Sequence, residues 1–251
     1  MTLKLRQRLR NGALLLSLLL FPLTLNYMSP YLIVEGAAFG FLSGSAVLFV
    51  AMFVWSLVVG RLWCGWVCPG AGLMEALFGL QPRRMRSPRA GVVKWIIWVP
   101  WIAAITWLFV RAGGPSAVNV FHRIESGVSV ESPIDFVKFY GVVVLFIIPS
   151  LVLGKRGGCH SLCWMSPFMI IGTRLSRFAR IPHLHLEPTP ASCGKCKTCE
   201  SRCPMSLDVP AMVASGSMFN TECILCGSCV DGCPKSAIQY AFGSPSRSSQ
   251  G

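Results

Sequence analysis

Apolar residues gather in four long stretches through the first 155 positions, and then the pattern changes. Each stretch approaches the roughly 20 residues that a membrane-crossing helix needs. They predict helices over 12–28, 38–60, 92–111 and 136–154. Pro22, Pro100 and Pro149 fall inside these stretches and are expected to kink them. The third carries Trp95, Trp98, Trp101 and Trp107, most simply interfacial or packing residues. The first follows Lys4, Arg6, Arg8 and Arg10 and has the look of a signal peptide. No small-x-small cleavage site directly follows it, so it reads as a retained helix.

Composition sharpens this picture. Hydrophobic residues make up 53% and charged residues 13% of 251 positions, with mean hydropathy +0.57. Soluble globular chains carry roughly 25% charged residues, so much of this chain needs no water-facing surface. The net charge of +13 raises the question of nucleic acid. The basic residues instead flank the apolar stretches, as the positive-inside rule requires, and no nucleic-acid partner is expected. Counting Lys and Arg in the connections places both termini and the 61–94 loop on the cytoplasmic side. The weakest alternation is in the loop between the third and fourth stretches, which holds Arg123 against Glu125, Glu131 and Asp135.

The chain therefore divides into a transmembrane part, residues 1–182, a cysteine-rich soluble domain, 183–242, and a Ser-rich tail, 243–251, expected to be disordered. Pro188 and Pro190 read as a stiff linker near the boundary. An internal repeat crosses the first part. Arg61-x-x-Cys64-x-x-x-Cys68 follows the second stretch, and Arg156-x-x-Cys159-x-x-x-Cys163 follows the fourth. Met74 and Met169 stand at the same offset from Cys64 and Cys159. Same-direction repeats of two helices can be related by a pseudo-two-fold axis along the membrane normal. Such an axis would bring the two cysteine pairs together at the inner surface.

The soluble domain holds two runs of identical spacing. One is Cys193-x2-Cys196-x2-Cys199-x3-Cys203-Pro204, and the other Cys223-x2-Cys226-x2-Cys229-x3-Cys233-Pro234. Three cysteines on a tight loop can cap three irons of a cubane, and a distant cysteine takes the fourth. In two-cluster ferredoxins the fourth cysteine of each run serves the other cluster. The expectation is one [4Fe–4S] cluster on Cys193, Cys196, Cys199 and Cys233, and a second on Cys223, Cys226, Cys229 and Cys203. Gly227 and Gly232 should let the second loop wrap closely. A zinc site needs only two Cys-x2-Cys pairs, which leaves the third and fourth cysteines and the prolines unexplained. The expected fold is an α-helical membrane bundle of four helices in two pseudo-repeats, followed by an α+β two-cluster ferredoxin-like domain.

Cys64, Cys68, Cys159 and Cys163 admit three readings: a third metal or redox centre, a dithiol/disulfide pair, or buried packing residues. The candidate metals are an iron–sulfur cluster, copper or zinc. Pro69 suits the first turn of a helix after Cys68. His160 reads as interfacial rather than ligating, and His183-x-His185 as a solvated pair in the linker. No apolar stretch contains a histidine, which argues against bis-histidine haem.

The segment Gly60-Arg61-Leu62-Trp63-Cys64-Gly65-Trp66-Val67-Cys68-Pro69, the second Cys-x3-Cys and the two four-cysteine runs together resemble the NapH-type membrane polyferredoxins. That resemblance implies that Cys64, Cys68, Cys159 and Cys163 are functional. It also implies electron exchange between the quinone pool and a redox partner protein. The expected setting is the lipid of a bacterial or archaeal cytoplasmic (inner) membrane. A runner-up is a metal-handling or maturation factor that reduces bound copper or iron with ferredoxin electrons. His122, Glu125 and Glu131 stand in the outer loop as candidate proton acceptors from a quinol. One departure from the pattern is that Trp164, not proline, follows Cys163.

Overall fold

The computed structural model describes residues 4–85, 90–124, 128–130 and 132–244. Arg86 and Arg89 of the 61–94 loop, Glu125, Glu131 and residues 245–251 of the tail lie outside the described residues.

The first helix, α1, spans Leu5–Leu19, not 12–28. Pro22 has no N–H to continue the ladder, and the chain breaks into the short α2 (Phe21–Thr24) and a 3-10 turn at Asn26–Met28. Arg6, Arg8 and Arg10 of the basic start, read as a flank of the helix, lie inside it, and Lys4 precedes it. Gln7, Arg10 and Leu14 share one buried face at helical spacing. The second predicted helix is also shorter. Residues 30–38 form α3 (Pro30–Ala38), Phe41–Ser43 forms strand β1, and only Gly44–Val59 forms the apolar helix α4. Its 16 residues rise about 24 Å, short of the roughly 30 Å of hydrocarbon. β1 pairs in parallel with β2 (Ala117–Asn119), Phe41 opposite Ala117.

The other two stretches form continuous helices: α7 (Ala90–Arg111) with Pro100 inside it, and α8 (Pro133–Leu153) with Pro149. Both are long and apolar enough to cross a membrane. α8 begins with a capping box in which Ser132 and Asp135 satisfy each other's backbone N–H groups.

The repeat extends to the backbone. After α4 comes α5 (Leu62–Trp66), centred on Cys64, and after α8 comes α9 (Gly157–Ser161), centred on Cys159. The amides of Val67 and Cys68 both bond to the Trp63 carbonyl, and those of Leu162 and Cys163 to the Gly158 carbonyl. The next helices differ in start. α6 (Pro69–Ala76) begins directly after Cys68, while α10 (Ser166–Phe178) begins three residues after Cys163. Pro69 occupies the first turn of α6, where a proline suits a helix. Trp164 lacks that preset geometry, and Pro167 takes the role three residues late. Packing is exchanged between halves: α6 lies on α8, and α10 lies on α4. At the latter contact a Cβ on Gly172 would collide with the Ser56 hydroxyl, so the helices approach as closely as their backbones allow.

The cysteine-rich domain is framed by an antiparallel ribbon of β3 (His183–Pro188) and β4 (Ile238–Gly243), His183 opposite Gly243 and Pro188 opposite Ile238. The segment read as a linker is therefore a strand, and Pro188 closes it. Between the strands lie α11 (Thr198–Arg202), α12 (Val209–Ala214) and α13 (Ser228–Gly232). Leu186, Val209, Val213, Ile224 and Ile238 form their buried core.

Candidate functional site

The ribbon brings each run's last cysteine to the other run. A cavity of about 140 Å³ is lined by Cys193, Cys196, Cys199 and Cys233, with Val213, Pro234 and Ile238 as apolar walls. A tighter space, about 20 Å³, is lined by Cys203, Cys223, Cys226 and Cys229, with Met205 and Ile224. The two loops are copies in backbone detail. Lys195, Lys197 and Ser206 have φ of 54°, 57° and 57°, and the equivalent Leu225, Gly227 and Ser236 have 50°, 74° and 50°. Five of these six are not glycine. Left-handed residues of that kind are uncommon and persist where surroundings over-determine them. Here they turn each loop back around its own cysteines, and α11 and α13 start directly beyond the turn.

The two four-cysteine sets differ in exposure. Cys196 is exposed, and the Thr198 hydroxyl and N–H hold its thiol below the usual range. Cys203, Cys226 and Cys229 are buried. Burial pushes the Cys223 thiol up to about 12 and raises those of Cys203 and Cys229. Buried thiols of this kind stay protonated unless a cation takes the proton's place, and metal coordination does so. The donor set, all thiolate in a dry pocket, fits an iron–sulfur cluster.

The four remaining cysteines also come together. Cys68, Cys159 and Cys163 line one cavity, and Cys64 Sγ lies 3.5 Å from Met169 Sδ. Burial, then neighbouring thiols of the same set, push Cys68 up to about 12; burial also raises Cys159 and Cys163. All twelve cysteines are free thiols. Among the described residues, no three His, Cys, Asp or Glu side chains converge closely enough to hold a single metal ion. Met74 and Met169, the matched pair of the repeat, are both fully buried.

Arg61 and Arg156, also matched, are buried beside these thiols. Arg61 donates to Glu222 Oε2 at 2.7 Å, the Thr221 carbonyl at 3.0 Å and Ser166 Oγ at 2.8 Å. Lys94 shares Glu222. Arg156 donates to the Cys64 carbonyl at 2.8 Å and, with Arg10, to Glu75. Basic residues counted as topology signals thus serve as buried struts.

The strut of Arg61 and Lys94 on Glu222 joins the helical part to the cysteine-rich domain, while that of Arg10 and Arg156 on Glu75 lies within the helical part. A Cβ on Gly65 would collide with the Ile224 carbonyl, so the Cys64 helix touches the Cys223–Cys226 loop backbone to backbone. Trp66 Nε1 donates to the Leu225 carbonyl at 3.2 Å. Gln7 Nε2 donates to the Cys226 carbonyl at 3.0 Å, and Arg6 forms a two-point pair with Asp231 at 3.0 and 2.7 Å. The Cys223 set thus stands beside the four cysteines of the two Cys-x3-Cys turns.

His183, expected to be solvated, is buried and hydrogen-bonded at Nδ1 to the Ile181 carbonyl oxygen at 2.9 Å. His160 is buried, and desolvation lowers it to about 4. His122 lies 3.4 Å from Glu35, which also binds Arg123. Sequence reasoning missed Glu75 and Glu222. They are the acidic partners of the two matched arginines, and no spacing rule links them.

Comparison with known proteins agrees with this geometry. Residues 192–238 match the 4Fe–4S dicluster domain family, and residues 42–88 match a 4Fe–4S binding domain family. The second match covers α4 to α6, with Cys64 and Cys68. The fold, the sites and these matches define an iron–sulfur protein of the electron-transfer class. The chain is 27% identical to Uncharacterized protein MJ0750 of Methanocaldococcus jannaschii over 79% of each. It is 24% identical to the Putative electron transport protein YccM of Escherichia coli, over 86% of this chain and 60% of that one. It is 25% identical to the Methylamine utilization ferredoxin-type protein MauN of Paracoccus denitrificans, over 82% and 70%. No solved structure matches.

Proposed function

We propose that the chain is a membrane-bound, NapH-like conduit that passes single electrons between the quinone pool and a redox partner protein. Cys193, Cys196, Cys199 and Cys233 would hold one [4Fe–4S] cluster, and Cys223, Cys226, Cys229 and Cys203 the other. The observation that carries this is the pair of four-cysteine pockets, each completed by the opposite run. Bound clusters supply reversible one-electron chemistry. The protein's own part is to exclude water, to hold the two sites next to each other, and to abut the second on the Cys64 helix. α7 and α8 are long and apolar enough to support residence in a membrane; the cytoplasmic membrane, with both termini on its cytoplasmic side, is the reading the Lys and Arg distribution favours.

Cys64, Cys68, Cys159 and Cys163 form a third redox centre in this reading. The family match over residues 42–88 favours iron and sulfide there. A second reading, reductive handling of copper or iron, draws on the 3.5 Å approach of Met169 to Cys64. Buried thiolates and thioethers select soft Cu(I).

The test is anaerobic purification in detergent, iron and sulfide counts, and EPR during titration with a quinol analogue. About eight irons with quinol-reducible signals support the conduit. Iron above that count, lost on Cys64→Ser or Cys159→Ser, makes the third centre a cluster. Full clusters that no quinol reduces, beside bound copper, overturn the conduit in favour of metal handling.

A further inference from the structure

A cavity of about 870 Å³ runs along α8 from the outer loop to the cysteine turns, and its two ends differ in chemistry. One end is formed by Cys68, Cys159 and Cys163, and the other by Arg123, Asp135 and Lys138. The wall between them is mostly apolar. On α8 the lining residues fall at 134, 135, 138, 141, 142, 145 and 146, a single helical face. Asp135 to Phe146 spans about 16 Å at 1.5 Å per residue. At the thiol end Phe146 and Trp164 meet edge to face, ring centroids 5.6 Å apart. The Trp164 N–H is spent on the Met28 carbonyl at 2.9 Å, which leaves its ring as apolar wall.

The occupant must be long, largely apolar and redox-active at one end. A metal ion needs no such length. We infer that this cavity binds a lipid-soluble quinol, its ring between Trp164 and the Cys68–Cys159–Cys163 end and its tail along α8. This site rests on the quinol reading above. Oxidation breaks two O–H bonds. Two electrons leave the ring singly toward the cysteine site and the iron–sulfur chain. Two protons pass from the ring hydroxyls to water at the half-exposed Cys68 and Cys163, and the product is the quinone.

The test uses the full chain in detergent. Binding of decylubiquinone is read as quenching of tryptophan emission, and an azidoquinone photolabel is mapped by mass spectrometry. Gly141 lines the cavity, and a Cβ there meets no protein atom within 4 Å, so Gly141→Phe adds bulk at the cavity wall. Val142→Phe serves as the second variant should the first not fold. Saturable quenching, label within residues 133–165, and affinity at least about tenfold weaker in the variant, the factor equivalent to roughly 1.4 kcal/mol, are expected. Unchanged affinity in both variants, label elsewhere, or label displaced by phospholipid alone overturns the site and leaves the quinol reading standing. A wild-type protein whose iron is reduced by dithionite but which neither binds quinone nor accepts quinol electrons overturns both.

Discussion

Arg61 and Glu222 meet at 2.7 Å across the junction between the helical part and the cysteine-rich domain, with Lys94 on the other carboxylate oxygen. Burial works against the Glu222 charge, but Arg61 and Lys94 hold its carboxyl down to about 2. Its pKa in the folded chain therefore lies below the ordinary value near 4.5. The resulting stability is fully present above about pH 4.5 and is lost as pH falls toward 2, amounting to about 3 kcal/mol. Glu222→Gln leaves two buried cations without an anion and should cost about 3–5 kcal/mol at pH 7. Thermal unfolding across pH 3–7 checks both. A variant as stable as wild type would show that the junction does not depend on this pair.

The cluster assignment predicts a specific pattern of non-additivity. Cys233→Ser and Cys193→Ser strike the same proposed cluster, so the double variant should lose no more iron than either alone, about four atoms. Cys233→Ser with Cys223→Ser should lose about eight. Iron counts on the anaerobically purified variants read this out. Each run holding its own cluster would reverse the two results.

Close backbone packing at Gly65 makes the contact between the Cys64 helix and the Cys223 loop intolerant of one methyl group. Gly65→Ala should destabilise the chain by about 1–3 kcal/mol and broaden the EPR signal of the second cluster as its loop is displaced. Gly79→Ala meets nothing within 4 Å and serves as the control, with a shift under about 0.5 kcal/mol. Equal effects in the two would place the cost in backbone conformation rather than in the contact.

Lys195, Lys197 and Lys235 ring the cavity that holds exposed Cys196, and all three are exposed. They should speed electron exchange with anionic carriers. The Lys195→Glu/Lys197→Glu double variant should slow oxidation by ferricyanide about tenfold at low salt, and the difference should shrink above roughly 0.5 M. Stopped-flow rates at several ionic strengths check it. A salt-independent defect would point to damage at the cluster instead.

Much of the cofactor chemistry was legible because it is local. Cys-x2-Cys-x2-Cys-x3-Cys-Pro is a spacing rule, and the crossing of Cys203 and Cys233 to the opposite pockets follows from two loops on one ribbon. The repeat was legible for the same reason, down to Met74 and Met169. The helix limits were less so. Hydropathy does not register that Pro22 lacks a donor, and it ran the second stretch across Ala38–Gly44, where the chain is a turn and a short strand. The junction was least visible. Arg10, Arg61, Arg156 and Lys94 looked like flanking charge because their partners, Glu75 and Glu222, stand 65 to 161 positions away.

The exchanged packing of α6 on α8 and α10 on α4 reaches beyond electron flow. Each half lends a helix to the other, α6 to α8 and α10 to α4. One half translated alone would leave the receiving face bare, while two copies of a half could clasp each other in the same way. The single chain is in this sense a dimer joined end to end. Once joined, its halves were free to diverge, as the proline after Cys68 and the tryptophan after Cys163 have done.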